Sequence, residues 1–168
     1  MPGTGAEFAI RAVEFGGPSY EKAWRLREEV LRKPLGLRFD LKTRESDRRK
    51  QHCVVEFDEE VIATATVWML EEGAAKAGSV AVNEEWRGKG VGSELMNFAA
   101  RVASDLGADN LLLDARVGVL GFYRKLGFRV IGKEFEKVGI PHRRVEISLG
   151  IGAAKPGAET AKSSREPA

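Results

Sequence analysis

The chain opens at a period of two. Phe8, Ile10 and Ala12 alternate with polar neighbours and predict a strand over Phe8–Val13. Gly16-Gly17-Pro18 breaks it, and Ser19 stands where an N-cap would start a helix reaching about Arg32. Ala23, Trp24, Val30 and Leu31 share one side of that helix, and Pro34 and Gly36 end it. Two β-rich runs follow, Gln51–Phe57 and Val61–Leu70, joined by the polar turn Asp58-Glu59-Glu60. Val61–Trp68 is apolar enough to be buried on both faces. After a turn at Glu71–Ala75, a strand over Lys76–Val82 leads into a glycine-rich segment. The helix beyond it carries Leu95, Phe98, Ala99, Val102 and Leu106 on one face and stops at Gly107.

Asn110–Asp114 is short and apolar, hence a buried strand. Strand, glycine loop, helix and strand form a βαβ unit with parallel strands. A shorter helix over Val117–Leu126 ends at Gly127, and Phe128–Gly132 begins another strand. Gly139-Ile140-Pro141 reads as a turn before a final strand, Arg143–Leu149, with Val145, Ile147 and Leu149 on one face. Residues 1–6 and 151–168 lack the apolar surface to order themselves and read as disordered ends around one domain, 7–150. Arg38–Lys50 is dense in mixed charge and reads as a solvated loop or short helix, or as a lid facing a substrate.

Composition narrows the class. The chain has 168 residues, 27 basic against 25 acidic, so a net charge of only +2 argues against a nucleic-acid partner. One cysteine, Cys53, excludes an internal disulfide framework, and with two histidines it speaks against structural zinc. No apolar run is long enough to span a membrane, and the first residues have no secretory pattern, so the cytoplasm is the expected compartment.

Arg87-Gly88-Lys89-Gly90-Val91-Gly92, followed by Ser93, is where chemistry concentrates. Glycines let backbone N–H groups approach an anion, and the helix start adds unpaired N–H groups and a partial positive charge. Phosphate is the natural guest. The spacing is neither a Walker loop nor the dinucleotide fingerprint, since the last glycine falls one position early. It is Arg-x-x-Gly-x-Gly between strand and helix, which resembles the pyrophosphate loop of the GCN5-related N-acetyltransferases. About 30 residues on, Phe122-Tyr123-Arg124-Lys125-Leu126-Gly127-Phe128 after a short strand is similar to the second half of the same family. The resemblance covers Phe8–Leu149. Leu26–Gly36 and Gly139-Ile140-Pro141-His142 further resemble the ElaA-like bacterial branch.

The resemblance implies an α/β fold: a mixed, mostly antiparallel twisted sheet of six to seven strands with about four helices. A central parallel pair would be splayed around the cofactor. It implies acetyl-CoA as cofactor and a small-molecule or peptide amine as acceptor, acetylated by direct attack in a ternary complex by a monomer or homodimer. The backbone of Val80, Ala81 and Val82 would bond pantetheine, Arg87–Ser93 would hold the pyrophosphate, and Phe122 would pack on the cofactor. Tyr123 takes the position of the general acid, a phenol protonated at neutral pH. Asp114 stands where many relatives have Asn; it would accept from a pantetheine amide or cap the helix after it. Glu56, His52, Glu136, His142 or a water chain could serve as base, and none is singled out. Cys53 reads as a buried small hydrophobe, with an acetyl-cysteine route as the sharper alternative. Two other functions stay open: a non-catalytic acyl-CoA sensor, and a nucleotide- or phosphate-binding enzyme.

Overall fold

A computed structural model describes residues 8–150; the ends expected to be disordered, 1–6 and 151–168, fall outside the described residues. The first strand is β1 (Ala9–Val13). Helix α1 (Pro18–Arg27) begins with Pro18, which has no N–H to satisfy there, after Gly17, which has no side chain to cap with. Ser19 is therefore not the N-cap; its hydroxyl donates to Glu56 at 2.6 Å. The helix does not stay α-helical to Arg32. Glu28–Arg32 is a π-turn and Lys33–Leu35 a 3₁₀ turn, closed by Gly36 at φ 73°. Pro34 cannot continue an α-ladder, because its ring meets the carbonyl four residues back.

The charged run is no loop. Asp40 caps α2 (Leu41–Ser46) by accepting from the Thr43 N–H, and a 3₁₀ turn, Asp47–Arg49, follows. Then come β2 (Gln51–Phe57) and β3 (Glu60–Met69), antiparallel, with Phe57 opposite Glu60. Strand β4 (Ala74–Val82) starts two residues earlier than expected. Helix α3 (Val91–Asp105) ends in a turn that donates from Gly107 to Ser104 and from Ala108 to Ala103, with Gly107 left-handed at φ 102°. Strand β5 (Asn110–Arg116) runs two residues past the expected end. The expected helix over Val117–Leu126 is a 3₁₀ turn followed by α4 (Leu120–Lys125). Strands β6 (Arg129–Lys137) and β7 (Ile140–Ser148) meet at Val138-Gly139, both at positive φ, so Pro141 lies in the strand and not in the turn.

The sheet order is β1-β2-β3-β4-β5-β7-β6. Its parallel register runs from Ala74↔Asn110 to Ala77↔Leu113, while β4 and β5 go on to Val82 and Arg116. The chain forms two compact units. Of the described residues, the first takes those up to Trp68 with Gly78–Ala99; the second takes Met69–Ala77 and those from Ala100. In the first, Ala23 and Leu26 of α1 pack with Val54, Val61 and Ala81, and Val13, Val30 and Leu31 close over them. In the second, Leu111, Leu113 and Ala115 alternate inward along β5, and Tyr123, Phe128 and Val145 are also buried. Each buried Leu or Val stabilises its unit by about 1.5–3 kcal/mol. Among the described residues no helix is long and apolar enough to cross a membrane.

Candidate active site

The glycine segment belongs to the first unit and opens α3. The chain leaves β4 through a 3₁₀ turn, Glu84–Trp86, fixed by the Asn83 side chain accepting from the Glu85 N–H at 2.8 Å. Gly88 and Gly90 follow at φ 75° and 85°. A side chain at either would be strained, yet nothing lies within 4 Å of where its Cβ would stand. The glycines thus serve the backbone path, and the space on their outer side is open. Gly90 O accepts the Glu94 N–H at 3.1 Å, so the helical ladder starts there and the N–H groups of its first turn face outward from it. Arg87 and Lys89 are exposed beside them. This loop fits a pyrophosphate: open, rich in donors and positively charged.

Just upstream, β4 bends. Ser79 has φ 48°, an uncommon conformation for a residue with a side chain, and it is held from behind. Its hydroxyl accepts from Arg27 Nη2 at 3.1 Å, and the Gly78 carbonyl accepts from Thr66 Oγ1 at 3.0 Å. Arg27 is 1% exposed, and its Nη1 lies 2.6 Å from Asp47 Oδ2. The Tyr20 hydroxyl donates to the same oxygen at 2.6 Å. The guanidinium also lies over Trp24 and Phe39 at 5.2 and 5.0 Å. Val80, Ala81 and Val82 continue from this bend, with Ala81 buried.

The second unit carries Asp114, Phe122 and Tyr123. The Tyr123 ring is 4% exposed and sits edge-on to Phe122 and Phe128, at 4.9 and 5.5 Å. Burial pushes its phenol well above the ordinary range, so it holds its proton at neutral pH. Asp114 does not cap the turn that follows, which has Arg116 at its N-cap and no side-chain cap bond. Its carboxylate is engaged elsewhere. Oδ1 accepts from Arg144 Nε at 2.8 Å; Oδ2 lies 2.9 Å from Lys76 Nζ and 3.8 Å from Lys137 Nζ. Burial alone would raise its pKa, but the hydrogen bonds from Arg144 and Lys76 outweigh that and hold it at about 2.

The sequence profile described as the acetyltransferase (GNAT) family matches residues 18–128, which takes in both glycine loop and tyrosine helix. The chain belongs to the GNAT family. Membership carries the class of reaction, acetyl transfer with acetyl-CoA as cofactor. The chain is 34% identical over 121 residues to the uncharacterised N-acetyltransferase YjcF of Bacillus subtilis (strain 168), covering 71% of this chain and 86% of that one. In fold it is similar to Escherichia coli ElaA, with a TM-score of 0.73 at 20% identity over 84% of this chain and 100% of that. A GNAT acetyltransferase from Elizabethkingia anophelis, solved with acetyl-CoA bound, gives 0.65 at 15% identity over 84% and 97%.

For this GNAT chain the candidate bases sort by surroundings. Glu56 accepts from Arg11 and Ser19, and the Arg11 bond leads in lowering its pKa, which weakens it as a base. His52 is buried, its Nε2 2.8 Å from the Asp47 carbonyl oxygen, and burial lowers its pKa, so it is neutral at pH 7. His142 is buried, its Nδ1 2.7 Å from the Ile140 carbonyl oxygen, and stacks on Phe135; Glu136 is exposed. Cys53 is fully buried and burial raises its thiol to about 12, which suits a packing role and not a nucleophile. Arg27 and Asp47 were not foreseen. A signal existed: Arg27 falls on the stripe of Tyr20 and Ala23, a charge among core positions of α1.

Proposed function

We propose that this GNAT chain moves an acetyl group from acetyl-CoA to a primary amine, on a small molecule or a peptide, by direct attack in a ternary complex. Acetyl-CoA would supply the activated thioester: the amine nitrogen bonds the acetyl carbon as the C–S bond breaks, coenzyme A leaves as the thiol, and the amine's surplus proton passes to water. Everything else is work of the chain. The N–H groups of Gly88, Lys89, Gly90, Val91, Gly92 and Ser93, with the Arg87 and Lys89 side chains, hold the pyrophosphate. The main chain of Val80, Ala81 and Val82 bonds the pantetheine arm, and a fixed N–H stabilises charge developing on the carbonyl oxygen. Phe122 packs on the cofactor. Tyr123 gives its proton to the departing sulfur. Asp114 keeps lone pairs beyond those its cations use and accepts from a pantetheine amide. Holding amine and thioester in attack geometry supplies most of the rate.

The observation that supports this best is the glycine loop: two left-handed glycines whose outer side is open and which pass directly into a helix start. Titration calorimetry with acetyl-CoA tests it. Gly90→Val should weaken binding at least tenfold, because φ 85° is strained for valine and its side chain occupies the open side. Equal affinity in the variant overturns the assignment. A panel of polyamines, amino acids and aminoglycosides, read by mass spectrometry, tests the transfer. Binding with no transfer to any amine favours the sensor.

A further inference from the structure

Strand β4 reaches Val80–Val82 through one residue at positive φ, Ser79 at 48°. A residue with a side chain stays in that conformation only where its surroundings hold it. Two contacts fix the residue before it. The Gly78 carbonyl accepts from Thr66 Oγ1 at 3.0 Å, and a Cβ on Gly78 would come within 3.0 and 3.2 Å of the Trp68 ring. Ser79 itself is held by Arg27, whose Nη2 donates to its hydroxyl at 3.1 Å. All of these residues belong to the first unit.

Arg27 is itself held in place. It is 1% exposed, its Nη1 lies 2.6 Å from Asp47 Oδ2, and its guanidinium covers Trp24 and Phe39. Asp47 takes the Tyr20 hydroxyl on the same oxygen, and its carbonyl oxygen lies 2.8 Å from His52 Nε2. Yet the pair is a poor device for stability alone. Arg27 Nε and Asp47 Oδ1 have no hydrogen bond, and Lys50 Nζ is 3.9 Å from the latter. An ion pair buried in that state holds a core no better than apolar side chains of similar volume. What apolar side chains cannot supply is a donor fixed against Ser79. The planar fork of the guanidinium serves both ends, one nitrogen on Asp47 and the other on Ser79.

We propose that Arg27 is a positioning residue for acetyl transfer: its bond to Ser79 keeps β4 bent and so sets the course of the Val80–Val82 main chain along the pantetheine arm. The link to catalysis rests on the transfer reading; the link from Arg27 to the bend does not. Arg27 acts through Ser79 and takes no part in the chemistry itself. Glycine separates the bond from the bend. It adopts positive φ without the penalty that a Cβ brings, so with Ser79→Gly the bend no longer needs Arg27.

The first arm of the test uses no coenzyme A. The amide signals of Val80, Ala81 and Val82 are followed in ¹⁵N-labelled protein through a cycle of Arg27→Met/Asp47→Leu and Ser79→Gly. The core double change should move them in the parent background, and at most about a third as far in the Ser79→Gly background. Equal displacement in both backgrounds overturns the proposal. If the core double change does not fold, Ser79→Ala leaves Arg27 and Asp47 intact and decides instead. The Ala81 and Val82 amides should move at least threefold further with Ser79→Ala than with Ser79→Gly, and equal movement overturns the proposal.

The second arm measures turnover at saturating acetyl-CoA, with the best acceptor among the polyamines, amino acids and aminoglycosides. It should fall at least tenfold in Ser79→Ala and in Arg27→Met/Asp47→Leu. Adding Ser79→Gly to the core double change should restore it to within about threefold of Ser79→Gly alone. Adenosine 3′,5′-bisphosphate, the part of coenzyme A without the pantetheine arm, should bind each variant within about twofold of the parent, as expected of a site at the glycine loop. Turnover that stays at the parent level, or a loss that Ser79→Gly does not restore, overturns the catalytic role. Bisphosphate binding that weakens in step with turnover marks a general loss of structure and overturns it too. If the parent protein acetylates no amine, the transfer reading fails, and the amide cycle alone decides whether Arg27 holds the bend.

Discussion

Tyr123 and Asp47 show how much a single buried atom can decide. Tyr123→Phe removes one oxygen from a ring held by Phe122 and Phe128 and leaves the packing in place. Acetyl-CoA affinity should therefore stay within twofold while turnover falls at least tenfold, the range expected when a general acid is lost; steady-state rates beside calorimetry check it, and unchanged turnover removes the role. Asp47 poses the opposite case. It is fully buried, and Arg27 and Tyr20 both lean on Oδ2, while Oδ1 has no hydrogen bond and Lys50 Nζ lies 3.9 Å away. Asp47→Ala would strand the Arg27 charge in the core and should cost about 3–5 kcal/mol in urea unfolding. The paired change Arg27→Met/Asp47→Leu removes both charges and should cost clearly less, because the pair is incompletely hydrogen-bonded. If both cost the same, the charges contribute nothing special and shape alone holds the site. The double variant also frees Ser79 from Arg27, so cofactor affinity in that folded protein reports whether the β4 bend depends on the network.

At the level of elements, turns and strands were largely legible, and helix faces less so. Phe57 pairs with Glu60, so Asp58-Glu59 is a two-residue turn, with φ 53° and 66°. Both residues carry a left-handed strain that glycine would not. Glu59→Gly should raise stability by about 1 kcal/mol, visible as a higher urea midpoint at unchanged slope; a lower midpoint means that glycine's extra freedom in the unfolded chain outweighs the relief. The sequence pattern located this turn because Asp-Glu-Glu interrupts two β-rich runs. It misplaced the last one, since Gly139-Ile140-Pro141 looks like a turn, whereas Val138 takes the left-handed position and Pro141 fits near the start of β7. On α3, Leu106 is 39% exposed, and the buried row is Val91, Leu95, Ala99 and Ala103, with Met96 beside it. Leu95 and Ala99 were on the expected face; Ala103 was not, because a pattern that favours large residues picks Val102 and Leu106 in its place. The place of the glycine loop between β4 and α3, and of Tyr123 on α4, was readable because local spacing sets it. The Arg27–Asp47 and Arg144–Asp114 pairs were not, because they form across 20 and 30 residues of chain, the second through the register of β5 on β7.

Each compact unit carries a buried acid-sensitive group that adds to the pH dependence of stability. In the first unit, His52 meets Asp47 through its carbonyl, the edge of Tyr20 and the ring of Phe15, with Arg27 and Lys50 adding positive charge nearby. Burial, and then those cations, lower its pKa below the unfolded value of 6.5. The unfolded chain therefore binds the proton first, and stability falls as pH drops below about 6.5. In the second unit, Asp114 stays ionised down to about 2 against an unfolded value of 3.8, so its contribution is complete above pH 3.8 and fades toward pH 2. Urea midpoints measured from pH 7.5 to 2.5 should thus fall in two stages. His52→Gln should flatten the first stage and leave the second. Asp114→Asn should lower the midpoint at neutral pH, since Lys76 and Arg144 lose their counter-charge, and should shrink the drop below pH 3.8. A first stage that survives His52→Gln would mean that another group titrates there, and it would remove His52 as the cause.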